Sequence, residues 1–327
     1  MRKLSLAPVA VVCGAICSAA LQPAFAAEKY PNRPIRIIVP SAPSSGPDVV
    51  SRLIGGRLTE AWGEQVVIDA RPGAAGNIAS EIVAKSKPDG YTLYINTVGT
   101  HAINPAIYAS MPFDVIKDFT PITNLVNLPS LMLVHPSVPA KNLKELIALA
   151  KKRPDALQYS SAGSGTQPHL SAEMFKMMSG VSIGHVPYKG AGPQMIGIIS
   201  GEVALTFATA PSGVPYVKNG QLRAIGVTSA NRIPALPNVQ TIAEGGVPGF
   251  LAVGWNGLMG PANMPQPLLD KIHDAVVRIV RTPEMNARLV DLGAEPALST
   301  PAEFGALIKA EIVKWAKVVK ESGAKVD

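Results

Sequence analysis

The amino-acid sequence predicts an α/β protein with two domains. Segments with the pattern of strands and helices alternate between Ile35 and Ile95, and a similar alternation restarts at Leu131. This alternation is typical of parallel strands joined by crossover helices. A later apolar segment, Leu251–Leu258, has the character of a strand that returns to the first domain. The chain would then cross between the domains near residues 125 and 250, and the two crossings would form a two-segment hinge.

The first domain is predicted to comprise residues 27–125 and 250–327. Short β-branched runs mark its strands, and apolar residues at helical spacing mark its helices. The predicted strands are Ile35–Val39, Val66–Ile68 and Tyr91–Ile95, and the predicted helices are Val49–Trp62, Ile78–Ala84, Leu268–Arg281 and Pro301–Ser322.

The second domain is predicted to comprise residues 126–249. The same two patterns place its elements. Its predicted strands are Leu131–Val134, Leu157–Ser160, His185–Tyr188, Val203–Phe207 and Arg223–Val227, and its predicted helices are Leu143–Lys151, His169–Met178 and Pro193–Ile199.

Residues 1–26 are predicted to be a signal peptide that is cleaved after Ala26. Arg2 and Lys3 give a positive start, Leu4–Leu21 is apolar and uncharged, and Ala24-Phe25-Ala26 has the small-x-small pattern of a cleavage site. A retained membrane anchor is the alternative, but the apolar run barely reaches the about 20 residues that a span needs. We therefore expect a soluble protein of the periplasm.

Both cysteines, Cys13 and Cys17, lie in this predicted signal peptide, so the mature chain would have no disulfide and no thiolate ligand or nucleophile. The net charge of +7 falls to +5 (7 − 2) when Arg2 and Lys3 are removed. The remaining basic residues are scattered, whereas nucleic-acid-binding proteins usually carry a basic stripe. We expect no nucleic-acid partner and a mild preference for anionic ligands.

Three loops at predicted strand ends are rich in serine, glycine and threonine: Pro40–Asp48, Asn96–Thr100 and Ser160–Thr166. In open α/β sheets ligands bind at the carboxyl ends of the strands. Small residues allow close approach of the backbone, and N–H groups at helix starts favour an anion. The alternative is that these residues only form turns and helix caps. Loops of this type in both domains favour a site for a carboxylate between them, and they make Thr97 of the second loop a candidate ligand contact.

A fourth loop, Arg71–Asn77, has only Gly73 and Gly76 and lacks the residues of a P-loop or a dinucleotide fingerprint. A structural turn, with some exposure to the cleft, is the favoured interpretation.

Patterns typical of enzymes are missing from the sequence. No serine lies in a Gly-x-Ser-x-Gly elbow, and the histidines show no spacing typical of a zinc site. A structural role is favoured for all five of them: His101, His135, His169, His185 and His273. We expect no catalysis, no metal and no cofactor; a periplasmic hydrolase is the minor alternative.

Several motifs follow one another along the chain in an order that resembles a known receptor family. They include Arg71-Pro72-Gly73-Ala74-Ala75-Gly76-Asn77-Ile78, Lys87-Pro88-Asp89-Gly90-Tyr91-Thr92-Leu93, Ser164-Gly165-Thr166-x-x-His169-Leu170 and His185-Val186-Pro187-Tyr188-Lys189-Gly190. On these motifs the chain resembles the extracytoplasmic solute receptors of the tripartite tricarboxylate transporters, also called Bug receptors.

The resemblance implies a type II periplasmic-binding-protein fold whose two α/β domains close like a Venus flytrap. It implies that the protein captures a small organic carboxylate and delivers it to integral membrane subunits; a sensor for signalling is the alternative, and a monomer is expected. In the family, the first loop and the serine-glycine loop of domain 2 hold a carboxylate, partly through ordered waters. Transferred to this sequence, the ligand-binding residues would be Ser44, Ser45, Gly46, Asp48, Ser161, Ser164, Gly165 and Thr166.

Two departures from the family pattern bear on the ligand. The first loop usually reads Pro-Gly-Gly-x-x-Asp, but here it is Pro43-Ser44-Ser45-Gly46-Pro47-Asp48. Many members carry an aspartate at the position of Ala208, where it would suit a ligand amine. Its absence predicts a plain di- or tricarboxylic or aromatic acid rather than an amino acid.

Overall fold

The computed structural model describes residues 30–322. The predicted signal peptide, its cleavage site after Ala26 and both cysteines lie outside the described residues. Among the helices of residues 30–322, none has the length and apolarity needed to cross a membrane.

The described residues form two sheets with helices packed against them. The strands are β1 (Ile35–Val39), β2 (Val66–Ala70), β3 (Thr92–Thr97), β4 (Phe119–Leu128), β5 (Ser130–Val134), β6 (Gln158–Ser161), β7 (Gly184–Pro187), β8 (Leu205–Thr209), β9 (Arg223–Val227), β10 (Gly254–Pro261) and β11 (Glu295–Pro296). The helices are α1 (Gly46–Trp62), α2 (Asn77–Ala84), α3 (Asn104–Ile107), α4 (Leu143–Lys152), α5 (Gln167–Ser179), α6 (Ala191–Ile199), α7 (Ala210–Lys218), α8 (Gln266–Val280), α9 (Pro283–Asp291) and α10 (Pro301–Ser322).

Sheet 1 has the strand order β11-β4-β10-β3-β1-β2. Strand β1 pairs in parallel with β2 and β3, as the sequence predicts, but β10 pairs antiparallel with both β3 and β4. The sheet is therefore mixed rather than wholly parallel. The reason is that β4 leaves toward sheet 2 and β10 comes back from it, so the two neighbouring strands run in opposite directions.

Sheet 2 has the order β7-β6-β8-β5-β9, with β6 parallel to β7 and β8 and with β5 antiparallel to β8 and β9. Only Pro129 separates β4 from β5, so the chain passes from sheet 1 to sheet 2 at that residue. It returns between Val227 and Gly254. The α/β architecture with two sheet systems is confirmed, whereas the domain boundaries at 125/126 and 249/250 stay a prediction.

Helix α10 connects the two sheet systems. It packs against β4 and α3 on one side and against α5, which flanks sheet 2, on the other. Its Trp315 and Phe304 are fully buried in a hydrophobic core that also contains Tyr94 of sheet 1 and Phe207 of sheet 2. This shared core fixes the positions of the loops that face each other between the sheets.

Candidate functional site

A cavity of about 530 Å³ lies between the two sheets. Its walls are the loops after β1, β2 and β3 on one side and the loops after β6, β7 and β8 on the other, together with the first residues of β10. Because β10 runs antiparallel to β3, its beginning lies at the same sheet edge as the carboxyl end of β3. The cavity thus occupies the place where ligands bind in open α/β sheets.

The beginnings of five helices converge on this cavity. The N-cap residues of α1, α2, α5, α6 and α7 all line it: Ser45, Gly76, Thr166, Gly190 and Thr209. Each helix start presents backbone N–H groups and the positive end of the helix dipole. Together these starts give the cavity a positive potential that suits an anion.

Most of these helix starts lack a cap from their own N-cap side chain. Gly76 and Gly190 have no side chain to offer, the hydroxyl of Thr166 donates to the carbonyl of Gly163 at 2.7 Å, and the hydroxyl of Thr209 bonds that of Ser212 at 3.0 Å. In α1 the hydroxyl of Ser45 accepts from the N–H of Asp48 at 3.4 Å, which is a long contact. The first-turn N–H groups of α2, α5, α6 and α7 are thus not satisfied by their own N-cap side chains.

The charge on the described lining of the cavity is positive only. Among the described residues that line it, Lys189 is the single charged side chain, and no carboxylate is present. Much of the remaining wall consists of glycine, alanine and proline, with Trp255 and Tyr188 as the aromatic members. Such a wall fits an organic anion with an apolar body, and it offers no carboxylate to pair with an ammonium group.

The first predicted loop divides into residues that line the cavity and residues that do not. Ser45 and Gly46 line it, whereas Ser44 and Asp48 do not. The carboxylate of Asp48 is buried, accepts the N–H of Ser44 at 3.0 Å and forms an ion pair with Arg52 at 2.9 Å. These contacts hold Ser44 at a φ of 66°, a left-handed conformation in which serine is strained. In this structure Asp48 and Ser44 shape the loop.

The serine-glycine loop of sheet 2 divides in the same way. Ser164 and Thr166 line the cavity, whereas Ser161 and Gly165 do not. The hydroxyl of Ser161 lies 2.7 Å from Nε2 of His185, and the N–H of Gly165 donates to Nδ1 of His169 at 3.1 Å. The two other predicted contacts, Thr97 and Ala208, both line the cavity.

The loop Arg71–Asn77 contributes more to the cavity than the sequence indicates. Residues Pro72–Gly76 line it, and both Ala74 (φ 46°) and Ala75 (φ 49°) adopt left-handed conformations. Non-glycine residues in this conformation concentrate at ligand sites. A turn was the favoured interpretation, but the loop joins a strand of sheet 1 to a helix, as the first loop does, and that position is the signal that could have identified it.

Further lining residues come from regions to which the sequence assigns no site. They are Tyr188, Lys189 and Gln194 around the start of α6, and Trp255 and Asn256 at the start of β10. The amide of Gln194 is buried and donates to Thr206 Oγ1 and to the carbonyl of Phe207, both at 2.7 Å. It thereby ties α6 to β8 below the cavity.

The histidines do not line the cavity. His101 is fully buried beside Thr100, and burial lowers its pKa to about 3, so the ring is neutral at pH 7. No cluster of His, Asp and Glu within residues 30–322 has the size of a metal site.

Comparison with known proteins gives a consistent result. The family model described as "Tripartite tricarboxylate transporter family receptor" matches residues 50–324. Protein BugT of Bordetella pertussis is 32% identical over 319 residues, which cover 97% of this chain and 98% of BugT.

Two solved structures share the fold. MatC from Rhodopseudomonas palustris with bound malate is 31% identical with a TM-score of 0.82, and the match covers 89% of this chain and all of MatC. Rpa4515 from R. palustris with adipate is 37% identical with a TM-score of 0.89 over 91% of this chain and all of Rpa4515. The predicted family and the type II periplasmic-binding-protein fold are both confirmed.

Proposed function

Since the chain belongs to the tripartite tricarboxylate transporter family of receptors, we propose that it captures a small organic carboxylate between its two domains and delivers it to integral membrane subunits. The observation that carries this proposal is the convergence of five helix starts on a cavity whose described lining contains one lysine and no carboxylate. First-turn N–H groups in such a place bind a carboxylate through charge-assisted hydrogen bonds.

The residues proposed to contact the ligand are the predicted ones that line the cavity, together with the neighbouring loop. They are Ser45, Gly46, Thr97, Ser164, Thr166 and Ala208, with the segment Pro72–Gly76 and Lys189 added from the structure. Ser44, Asp48, Ser161 and Gly165 are proposed to act through the loops that they hold.

The proposed ligand class is an aliphatic di- or tricarboxylic acid or an aromatic acid. Adipate and malate in the two related structures are dicarboxylates. Here a second carboxylate would meet Lys189, the one charged group of the described lining. Ala208 supplies no acid for a ligand amine, and an unpaired ammonium in an apolar cavity costs several kcal/mol. Amino acids should therefore bind poorly.

The setting proposed for this activity is the periplasm, with the protein acting as a monomer. Signal cleavage after Ala26 would release the mature chain outside the cytoplasmic membrane. We propose no chemical step, since binding and release of an unchanged acid are what a receptor requires.

Calorimetry on the purified mature protein tests the proposal. We expect binding of adipate, malate or a tricarboxylic or aromatic acid from a panel, with a matching rise in melting temperature. Aspartate and glutamate should bind at least tenfold more weakly. Mass spectrometry of the ligand after incubation should show it unchanged. Binding of sugars or polyamines in the absence of binding of any acid would contradict the proposal, and conversion of the acid would indicate an enzyme.

A further inference from the structure

Two histidine rings are stacked beneath the serine-glycine loop of sheet 2, which consists of residues Ser161–Thr166. The rings of His169, on α5, and His185, on β7, lie 4.3 Å apart with an angle of 16° between their planes. The ring of Tyr159 stacks on His185 at 4.7 Å and 17°. Tyr159 and His169 are buried. The three rings thus form a column between the sheet and the helix that begins at the loop.

Each imidazole is bonded to a different part of the loop. Nδ1 of His169 accepts the N–H of Gly165 at 3.1 Å, and Nε2 of His185 lies 2.7 Å from the hydroxyl of Ser161. That hydroxyl is also 3.2 Å from both the N–H and the carbonyl of Gly163. The loop is therefore fixed at its beginning and near its end, and the cavity-lining residues Ser164 and Thr166 lie on either side of Gly165.

The bond to Gly165 determines where His169 holds its proton. A backbone N–H can only donate, so Nδ1 must carry a free lone pair. In the neutral ring the proton is then on Nε2, which lies 4.0 Å from a carboxylate oxygen of Glu173. A proton added to Nδ1 would place two donors against each other and break the bond to Gly165.

The charged and titratable groups around the column favour this arrangement. Glu173 accepts from the hydroxyl of Tyr159 at 2.6 Å and from Lys176 at 2.9 Å. Burial works to raise the pKa of Glu173, but these two partners outweigh burial and the pKa is lowered. Burial also raises the pKa of Tyr159, which remains a neutral donor.

The other elements packed against α5 add little charge near the rings. Strand β8 carries no titratable residue. On α10, Glu311 is bonded to Lys314 and to the ring N–H of Trp315. The tautomer of His169 is therefore set by its bond to Gly165 and by the nearby carboxylate of Glu173.

We propose that His169 is a positioning residue for ligand binding, whose unprotonated Nδ1 holds Gly165 so that Ser164 and Thr166 face the cavity. This inference rests on the proposed function. Without an acceptor at this position the loop loses its bond at Gly165, so ligand affinity falls.

Two substitutions separate positioning from packing. His169→Asn keeps an acceptor oxygen close to the place of Nδ1 but cannot be protonated, whereas His169→Phe keeps a stacking ring and removes the acceptor. His135→Asn, which changes a histidine bonded to the nearby Ser137 and outside the cavity, is the control.

Adipate affinity is measured by calorimetry at neutral pH. We expect His169→Phe to bind adipate roughly tenfold more weakly than the wild type, the factor for one lost buried hydrogen bond. His169→Asn, which restores an acceptor, and the control His135→Asn should keep most of the wild-type affinity. Wild-type affinity in His169→Phe, or an equal loss in His169→Asn and His169→Phe, would overturn the proposal.

A readout without ligand keeps this test separate from the proposed function. The amide resonance of Gly165 in the ligand-free protein should move in His169→Phe, which removes its acceptor, and stay near its wild-type position in His169→Asn. If no acid binds but the amide behaves in this way, the proposed function fails and the positioning role of His169 stands. A Gly165 amide that is unchanged in His169→Phe would refute the positioning role.

Discussion

The two walls of the cavity are built by different means. The sheet 1 wall is formed by the loops after β1, β2 and β3. These loops contain three non-glycine residues in left-handed conformations: Ser44, Ala74 and Ala75. Within residues 30–322, the other non-glycine residues with this conformation are Asp155 and Asn263. The sheet 2 wall is formed by the loops after β6, β7 and β8. Here the positive-φ positions are occupied by glycines: Gly163, Gly165 and Gly190. The side chains of Gln194 and His169 hold these loops through hydrogen bonds. Hydrogen-bonded side chains hold loops on both walls, but among the described wall loops only those of sheet 1 place non-glycine residues at positive φ.

This difference predicts which properties of the protein a substitution on each wall should change. Lys189, the one charged side chain of the described lining, belongs to the sheet 2 wall. Substitutions on that wall should therefore change affinity and charge preference. Substitutions at the positive-φ residues of the sheet 1 wall should act mainly on stability, because the strain lies in the main chain there.

The largest effect is expected from filling the sheet 2 wall. Thr166 lines the cavity, and its hydroxyl does not cap α5. Thr166→Leu should therefore place extra volume in the ligand's place and lower adipate affinity about 100-fold, while the melting temperature of the ligand-free protein changes little. Calorimetry and thermal unfolding on the same sample measure both quantities.

The result for Thr166→Leu has a clear alternative. If the residue serves only through its bond to the carbonyl of Gly163, the variant should lose about 1 kcal/mol of stability and keep its affinity. Small-angle scattering adds a second measurement, since a variant that still becomes more compact with ligand would contradict a role of this loop in domain closure.

A second effect concerns the acid sensitivity of the sheet 1 side. His101 is buried between the rings of Phe119 and Tyr94, and its pKa is lowered to about 3 by burial. The unfolded chain binds this proton at a higher pH than the folded one, so the stabilisation is present above about pH 6.5 and is lost as the pH falls toward 3. The expected loss is about 1.4 kcal/mol per pH unit within this window.

Urea unfolding between pH 7 and pH 4 checks this expectation with His101→Phe, which keeps an aromatic ring in the cluster and removes the titrating group. The variant should lose less stability on acidification than the wild type. His135→Phe, a change outside this cluster, should follow the wild-type slope. An equal slope in all three proteins would show that His101 does not set the acid sensitivity.

A smaller effect is expected for the charge of the sheet 2 wall. Lys189 is exposed and is the one charged residue of the described lining. Lys189→Gln should weaken adipate binding about fivefold, the scale of an exposed ion pair, and should reduce the salt dependence of binding. Hexanoate, with one carboxylate, should lose less. Lys151→Gln, on the surface of α4, is the matched control, and an equal loss for both ligands would argue against contact with a second carboxylate.

Much of the fold could be predicted from local pattern. The bounds of β1, β9 and α10 agree with the predicted segments, because β-branched runs and amphipathic spacing define them clearly. Helix α7 and strand β4 were not predicted. Helix α7 contains Pro211 and Pro215, residues that usually mark loops, and β4 contains a proline at a position where its pairing with β10 is irregular.

Sequence composition predicts the parts of the site whose residue types are themselves typical of anion binding. It does not predict residues that reach the cavity only because of how distant loops pack together. The serine-glycine loops carry that signal in their composition. Lys189 carries none, because an exposed lysine after a strand is common, and its place in the wall follows from the packing of α6. The antiparallel course of β10 likewise brings Trp255 to the cavity, and sheet order cannot be derived from strand spacing alone.

The smallest expected effect concerns the strained main chain of the sheet 1 wall at Ser44. Ser44 holds a φ of 66°, a conformation that costs a residue with a Cβ about 1–2 kcal/mol and costs glycine nothing comparable. Ser44→Gly should therefore stabilise the protein, but the gain is reduced to about 0.5–1 kcal/mol because glycine also gives the unfolded chain more freedom. The N–H of Ser44 still donates to Asp48, and its carbonyl still accepts the hydroxyl of Ser212, so the loop should keep its shape and adipate affinity should change less than twofold.

Ser44→Ala keeps the Cβ and the strain, and should show no such gain. Urea unfolding of the three proteins measures the difference; if Ser44→Ala gained as much as Ser44→Gly, the hydroxyl and not the backbone would be the source of the cost, and the contrast between the two walls would be weaker at this residue.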